Sequence, residues 1–121
     1  MALIPIYTSK GDPEAFLEYP YLFNRNGDWI GWVTASREVY SVLGYFAGYV
    51  GSGPRILRKR ATSTLRPRQT PPPLPKRVFV PANIPLPPMM SELSNSTIDV
   101  LLDEPERLHT LDVGELRQDM E

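Results

Sequence analysis

Residues 21–33 read Tyr-Leu-Phe-Asn-Arg-Asn-Gly-Asp-Trp-Ile-Gly-Trp-Val, a stretch with the length of one β-hairpin. The pattern recurs later in the chain around Gly44, and a weaker copy lies earlier around Gly11, so that the three central glycines are almost evenly spaced. Each copy has an aliphatic-aromatic pair, a glycine four residues on and a small residue after four more. A lone hairpin is marginally stable, so the copies must pack together. The sequence therefore predicts a small all-β domain of three to four repeated β-hairpin-like units around an axis.

The turns and the mid-strand glycines of this pattern carry separate predictions. Asn26-Gly27 favours a tight type I′ hairpin, in which both central residues have positive φ. Gly31 and Gly48 fall within strands, where glycine often marks a place at which another backbone or ring packs closely. Ala15 holds the same place in the first copy. We therefore expect neighbouring units to approach each other closely at these three positions.

The aromatic residues indicate where the core lies. Of twelve aromatics, only Phe79 lies outside residues 7–49. Alternation along a strand places Tyr21 and Phe23 on one face and Leu22 on the other. We expect a predominantly N-terminal core in which four aromatics at matched places are mostly buried: Phe23, Trp32, Tyr40 and Tyr49.

A fourth copy begins and is not completed. Ile56-Leu57 follows Val39-Tyr40 at the spacing of the repeat, but Ala61 stands where the other copies have glycine. Ten of the fourteen prolines then lie between residues 54 and 88. We expect a repeat-built β domain over residues 1–60, and we expect it to stay folded when residues 78–121 are deleted.

The rest of the chain divides by charge. Residues 54–77 carry eight Lys/Arg and no acid, whereas residues 78–121 carry two Arg and nine acids. We interpret residues 61–90 as an extended, proline-rich linker and residues 91–121 as an acidic tail with short helices at 96–102 and 112–120. The N-caps of these two helices would be Ser96 and Asp112. Because aromatics are so scarce there, we expect residues 66–121 to be disordered in the isolated chain.

The repeated glycines and aromatics together resemble the four-fold β-flower domain family, small bacterial proteins of unknown function. The resemblance covers residues 4–60, including Leu22-Phe23, Gly27, Gly31-Trp32-Val33 and their counterparts in the other copies. It implies short β units repeated around an axis, and family members often continue into a proline-rich tail. It brings no catalytic residues with it.

Catalysis, metal binding and cofactor binding have no clear signature here. The chain has no cysteine, so it has neither a disulfide framework nor thiolate chemistry. His109 lies in the acidic tail without a nucleophile beside it, and we interpret it as a surface residue. Asp103, Glu104 and Glu106 bracket Pro105 and read as a solvated charge run rather than as metal ligands. Gly51-Ser52-Gly53 lacks the Lys-Ser/Thr of a phosphate loop and reads as a turn. We expect no enzyme activity and no cofactor.

The N-terminus and the longest apolar run bear on location and membrane association. Because residues 1–5 have neither a basic region nor a sustained apolar run, we expect no secretory signal. Residues 39–53 are uncharged and precede a basic segment, as at a cytoplasmic membrane boundary. The run is short and contains several glycines, so the strand interpretation is favoured over a membrane span. We expect a cytoplasmic protein, with peripheral association with a membrane complex left open.

Two hypotheses for function follow from the C-terminal half. The first is a non-enzymatic interaction or assembly protein, an accessory subunit whose β domain docks on a larger partner while the tail straps along it. Its apolar tail residues would bind the partner: Phe79, Ile84, Leu86, Met89 and Met90. The alternative is nucleic-acid binding by the basic segment 54–77, with Trp29 and Trp32 as stacking platforms. Its phosphate contacts would come from a basic patch of four residues: Arg55, Arg58, Lys59 and Arg60.

Overall fold

The computed structural model describes residues 3–51, 53–60 and 67–110. Eight antiparallel strands form one sheet, and each strand pairs with the next along the chain. The strands are β1 (Ile4–Tyr7), β2 (Pro13–Glu18), β3 (Tyr21–Phe23), β4 (Trp29–Val33), β5 (Glu38–Ser41), β6 (Phe46–Gly51), β7 (Arg55–Lys59) and β8 (Thr97–Asp99). The sheet curls into a half-barrel, and the Tyr7 amide donates to the Pro54 carbonyl over 2.9 Å. The all-β prediction is confirmed.

Three turns at alternate strand connections share one hydrogen-bonding pattern. In each, the first residue donates its N–H to the carbonyl four residues on, and the glycine donates back to the first residue's carbonyl. The side chain of the first residue also accepts from the backbone N–H four residues on, at 3.0–3.4 Å. All three glycines have positive φ. The turns are Thr8–Asp12, Asn24–Asp28 and Ser41–Tyr45.

The type I′ prediction for Asn26-Gly27 is wrong. Gly27 has a φ of 83°, but Asn26 is not among the positive-φ residues of the described chain. The Asn24 side chain accepts from the Asn26 N–H at 2.9 Å, and three residues separate Asn24 from Asp28, whose carbonyl accepts from the Asn24 N–H at 2.9 Å. This is a longer loop that ends in a bulge at a left-handed glycine, and the Asn24 amide stabilises it.

The expected close approaches at Gly31 and Gly48 are confirmed. A Cβ at Gly31 would lie 2.5 Å from the Tyr40 carbonyl oxygen and 2.9 Å from the Leu108 side chain. A Cβ at Gly48 would lie 2.5 Å from the Leu57 carbonyl oxygen. Distances under 3.0 Å are not tolerated by real side chains. Both glycines therefore allow backbone and core side chains to pack directly on the sheet.

Two apolar clusters occupy the two faces of the sheet. The larger is aliphatic and includes Ile6, Leu22, Val39 and Ile56, and the smaller includes Phe23, Trp29 and Val42. Of the four aromatics predicted to be mostly buried, Phe23 and Tyr40 are buried, whereas Trp32 and Tyr49 are half-buried. Trp32 stacks on Tyr40 with ring centroids 5.0 Å apart. Trp29, whose Nε1 donates to the Gly31 carbonyl at 2.7 Å, takes the buried place instead.

The C-terminal segment belongs to the core, which differs from the expectation of a domain that ends at residue 60. Strand β8 pairs with β7, with Ile98 opposite Arg58. It continues into helix α1 (Val100–Asp103) and a 3-10 turn (Pro105–Arg107). Four buried apolar residues come from this segment: Ile98, Val100, Leu101 and Leu108.

The helix boundaries in this segment also differ from the prediction. Residues 97–99 are strand, and Asp99 rather than Ser96 caps α1, because its side chain accepts from the Leu102 N–H at 3.3 Å. The aromatics indicate an N-terminal core, but the C-terminal contribution to it is aliphatic. The helix predicted at 112–120, with Asp112 as its N-cap, lies outside the described residues.

Candidate interaction surface on the strap

Residues 67–90, here called the strap, connect the part of the chain after β7 to β8 and cross the turns of the sheet. The Gln69 N–H donates to the Gly44 carbonyl at 2.9 Å, and the Val78 N–H donates to the Gly27 carbonyl at 3.0 Å. Both acceptors are the positive-φ glycines of the shared turns. The strap therefore meets two successive turns at a spacing of nine residues (78 − 69).

The contact continues at the remaining left-handed glycines. Pro87, nine residues after Val78 (87 − 78), lies beside Gly11. A Cβ placed on Gly11 would be 3.3 Å from the Pro87 ring. Pro87 has no N–H to donate, so it packs rather than bonds. At Gly53, in the β6–β7 turn, a Cβ would lie 2.9 Å from the Met90 side chain. Within the described ranges, every glycine of positive φ thus touches the strap.

Tyrosine hydroxyls hold the strap between these glycines. The Tyr21 hydroxyl donates to the Pro73 carbonyl at 2.8 Å, and the Tyr7 hydroxyl donates to the Pro85 carbonyl at 2.6 Å. A proline-rich segment has few N–H groups but many carbonyls, so acceptance is the bonding mode left to it. These bonds fix the backbone of the strap at two further points.

Two arginines of the strap bind the turn backbones. Arg77 donates to the Asn26 carbonyl at 2.9 Å and lies 3.2 Å from the Asp28 carboxylate. Arg68 donates to the Leu43 carbonyl and lies over the Tyr45 ring, 5.5 Å from its centroid. These two positive charges of the strap therefore interact with groups of its own sheet.

The strap has a side that faces the sheet and a side that faces solvent. Val78 packs against the smaller cluster, and Ile84 and Met90 are half-buried. Phe79, Leu86 and Met89, in contrast, are 93%, 91% and 102% exposed. Of the five tail residues predicted to bind a partner, these three point outward and the other two lie toward the domain itself. Leu74 is also exposed and extends the outer row, although it was not predicted.

A cleft of about 380 Å³ lies beside this outer row, between the strap and the Asn24–Asp28 turn. Its lining includes Arg25, Arg77, Phe79 and Val80. Arg77 is already bound to the Asn24–Asp28 turn, and Arg25 lies 3.4 Å from the Glu14 carboxylate, so a carboxylate ligand here would share guanidinium groups that have partners on the sheet.

The predicted basic patch is divided between the interior and the surface. Arg55 and Arg58 are 2% and 8% exposed, whereas Lys59 and Arg60 are exposed. The structure therefore does not bring these four cations together on one surface. Arg60 bonds the Asn95 carbonyl at 2.9 Å.

The two buried arginines bind the C-terminal segment to the sheet. Arg58 donates from Nε and Nη2 to the two carboxylate oxygens of Glu104, each at 3.0 Å, and Arg107 donates to the same carboxylate at 2.8 Å. The hydrogen bond from Arg58 lowers the pKa of Glu104, with help from Arg107 and against the opposing effect of burial. Arg55 donates to the Ser9 hydroxyl at 3.1 Å.

Asp99 completes this connection between the ends of the sheet. One of its carboxylate oxygens accepts from both the N–H and the hydroxyl of Ser9, each at 2.6 Å. Ser9 follows β1 and Asp99 ends β8, so the first and last strands of the sheet are joined by a side chain rather than by a ladder. The sequence placed Asp99 only within an acidic tail.

The remaining sequence candidates stay apart. His109 is half-buried, with Nδ1 2.9 Å from the Thr110 carbonyl. Within residues 3–51, 53–60 and 67–110, no three potential metal ligands are grouped. Over the same ranges, no helix has the length and apolar character needed to cross a membrane. Trp29 and Trp32 belong to the packed aromatic face rather than to a platform beside exposed cations.

Comparisons with known proteins give no relative for this chain. No family model matches the sequence, and neither the curated proteins nor the solved structures include a match.

The contact between the strap and the glycine turns is the feature that sequence reasoning missed. The glycines at 11, 27 and 44 were found as turn residues, but nothing in their spacing indicates that a distant segment lies against them. Gln69, Val78 and Pro87 are nine residues apart in the sequence, but they are different residue types. Their spacing has a meaning only when the folded structure shows that each contacts a glycine turn.

Proposed function

We propose that the protein is a non-enzymatic interaction or assembly protein, an accessory subunit that binds a partner protein along the outer side of the strap. The observation that carries the proposal is the nearly complete exposure of Phe79, Leu86 and Met89 on a segment whose backbone is bonded to its own sheet. Large apolar side chains exposed along an ordered segment are typical of a contact site.

Order in the strap favours this use. Binding by a disordered segment requires its backbone and side chains to be ordered at the moment of association, which weakens the affinity. Here Gln69 and Val78 are bonded to the turns and prolines restrict the backbone between them. The hypothesis drawn from the sequence lays the tail along the partner. In the form proposed now, the strap lies along its own domain and presents one side to the partner.

The charge of the strap indicates the chemistry of the partner. Residues 67–90 contain Arg68, Lys76 and Arg77 and no acid. The cleft beside Phe79 also includes Arg25, which pairs with the Glu14 carboxylate at 3.4 Å. We propose a partner whose binding site has an apolar groove bordered by carboxylates. Charge complementarity of this kind sets the orientation and the association rate more than the affinity.

The finer features of the fold are part of the same proposal. We propose that the sheet consists of repeated hairpin units around an axis, as in the four-fold β-flower family, with the proline-rich strap as its extension and with a cytoplasmic location. The shared hydrogen-bonding pattern of the three glycine turns supports the repeat.

Quantitative co-purification from native lysate tests the proposal. The full chain is compared with the triple variant Phe79→Ser, Leu86→Ser, Met89→Ser and with Ile4→Ser, a control that removes an exposed apolar side chain outside the strap. A protein that binds the full chain and the control, and is lost with the triple variant, is the expected result. If every bound protein remains with the triple variant, the outer row is not the contact surface.

Salt dependence separates the nucleic-acid alternative from this proposal. Phosphate contacts produce a steep linear fall of log affinity with log salt concentration, whereas apolar contacts do not. Reversing the charges of Lys59 and Arg60, the two exposed cations of the predicted patch, should leave partner binding nearly unchanged. Binding that is abolished by this reversal and falls steeply with salt would favour the basic segment instead.

A further inference from the structure

A cavity of about 610 Å³ lies among the β2–β3, β4–β5 and β6–β7 connections, away from the turns that carry the strap's backbone bonds. Leu17, Val33, Val50 and Pro54 form most of its apolar wall. Leu17 and Val50 are half-buried and pack against the larger core cluster, so this part of the cavity wall rests on the core. Its volume is within the range of sites that take small molecules.

Arg37 is the charged residue of this cavity among the lining residues that the structure describes. It belongs to a fourth turn, Thr34–Glu38, which repeats the hydrogen bonds of the glycine turns: the Thr34 N–H donates to the Glu38 carbonyl and the Arg37 N–H donates to the Thr34 carbonyl, both at 2.9 Å. In the other three turns the corresponding residue is glycine. Here it is arginine, with a φ of 68°.

An arginine in this conformation is a costly choice. The left-handed region costs a residue with a Cβ about 1–2 kcal/mol, and glycine avoids that cost. The same chain uses glycine at this place in three turns. Strained backbone of this kind is retained where the side chain has a use. Over the described residues, the Arg37 side chain has neither an ion pair nor a hydrogen bond that would account for it.

We propose that the cavity binds a small amphipathic anion, a monocarboxylate with an apolar chain or ring. The apolar part would lie against Leu17, Val33 and Val50, and the carboxylate would accept two parallel hydrogen bonds from the Arg37 guanidinium. The hydroxyl of Tyr19, a residue that is 61% exposed and lines the same cavity, is a further donor to that carboxylate. This inference does not depend on the function proposed for the strap.

The apolar wall and the Arg37 guanidinium decide the ligand class together. A multiply charged ligand such as a nucleotide would need more than one cation, and a neutral apolar ligand would make no use of the exposed Arg37 guanidinium, which would stay hydrated. A monocarboxylate matches one guanidinium in charge and in planar geometry.

Titration with decanoate, followed by amide chemical shifts of the full chain, tests the proposal. The variant Arg37→Gly restores the residue that the other three turns use, so it should fold at least as stably as the natural chain. We expect it to lose at least tenfold in decanoate affinity. Arg37→Asn, a residue tolerated at positive φ, should lose as much. Arg25→Gly removes an exposed arginine from another turn and should bind decanoate like the natural chain.

Decanol gives the second arm, because it keeps the chain and removes the charge. We expect decanol to bind at least tenfold more weakly than decanoate to the natural chain, and equally to the natural chain and Arg37→Gly. Shifts should appear at Val33, Val50 and Arg37. Unchanged decanoate affinity in Arg37→Gly would overturn the proposal, as would shifts confined to the strap or the absence of binding.

Discussion

The two halves of the described chain are held together in opposite ways. In residues 3–60 each strand pairs with its immediate successor through a short turn. In residues 67–110 the contacts join residues far apart in sequence: Tyr21 to Pro73, Arg58 to Glu104 and Ser9 to Asp99, a separation of 90 residues in the last case. The first half is held together by pairing between neighbouring strands. The second half is held by contacts with the surface of the first half.

This difference explains which half leaves a periodic signal. A hairpin must meet the same turn and pairing requirements each time it occurs, so its residues repeat. A segment laid on a finished sheet needs only a few anchors, such as one N–H on a glycine carbonyl or one carboxylate on a buried arginine. The two halves nevertheless form one core, because β8 covers an edge of β7 that would otherwise be unpaired.

The largest expected effect tests whether the second half is part of the core. Ile56 and Ile98 lie on the paired strands β7 and β8 and are 0% and 5% exposed. We expect Ile56→Ala and Ile98→Ala each to lower the free energy of unfolding by about 2–5 kcal/mol, because each removes a buried isoleucine side chain and leaves a cavity. Urea denaturation measures both.

The surface of the same sheet supplies the control for that pair. Ile4→Ala removes an isoleucine that is 52% exposed and should cost much less. A loss from Ile98→Ala as small as that from Ile4→Ala would show that the C-terminal segment is only an appendage.

The next effect concerns the ion pair that joins the halves. Glu104→Gln should lower the free energy of unfolding by up to about 3 kcal/mol, the low end for a broken buried pair, because the Glu104 side chain keeps 23% exposure. Arg58 would be left buried without its carboxylate. Glu106→Gln, at an exposed acid in the same segment, is the control and should change little.

The same pair gives a pH dependence with a defined sign. Arg58 holds the folded-state pKa of Glu104 below its ordinary value of 4.5. Its stabilising contribution is therefore complete above that value and is lost as the pH falls through the lower, folded-state pKa. The natural chain should lose stability on acidification below about pH 4.5, and Glu104→Gln should lack that part of the loss. Parallel acid curves for the two proteins would contradict the assignment.

A smaller effect tests whether the strap packs against the Gly27 turn. Gly27 and Gly53 both have positive φ, so alanine strains the backbone at either site, by about 1–2 kcal/mol. At Gly27 the new Cβ would also lie 1.9 Å from the Val78 carbonyl oxygen, whereas at Gly53 it would meet the flexible Met90 side chain at 2.9 Å. We expect Gly27→Ala to destabilise the protein more than Gly53→Ala. Equal melting temperatures would mean that the strap does not lie on the Gly27 turn.

The smallest effect separates binding from folding. Phe79 makes almost no contact with the rest of the chain, so Phe79→Ser should change the free energy of unfolding by less than about 0.5 kcal/mol. Val78→Ser, one residue earlier, removes a side chain that packs on the smaller cluster and should cost more. If Phe79→Ser destabilised the protein as much as Val78→Ser, the outer side of the strap would have a folding role.

The sequence predicted those parts of the fold that its local pattern requires. The all-β class, the glycine turns and the close approaches at Gly31 and Gly48 were predictable because each follows from residues within one hairpin or its neighbour. The eighth strand was not, because Thr97-Ile98-Asp99 is a short run whose partner β7 lies on the far side of the whole strap in the sequence. Arg55 and Arg58 resemble surface cations in the sequence for the same reason: their hydroxyl and carboxylate partners are also distant along the chain.

The candidate surface was predicted in composition but not in orientation. The apolar character of Phe79, Leu86 and Met89 is plain in the sequence, and so is their extended context. The sequence does not tell which residues of the strap face the sheet. That division depends on where the glycine carbonyls of the turns are placed by the fold.

Amide hydrogen exchange of the full chain, without any partner, measures most directly whether the strap is bound to the turns of its own sheet. The Gln69 and Val78 amides, bonded to Gly44 and Gly27, should exchange far more slowly than the Leu74 amide, which donates no hydrogen bond within the described residues. Protection at both positions, nine residues apart, is the expected result. Exchange of all three amides at the rate of an unstructured chain would contradict it, and residues 67–90 would then be the disordered tail that their composition predicts.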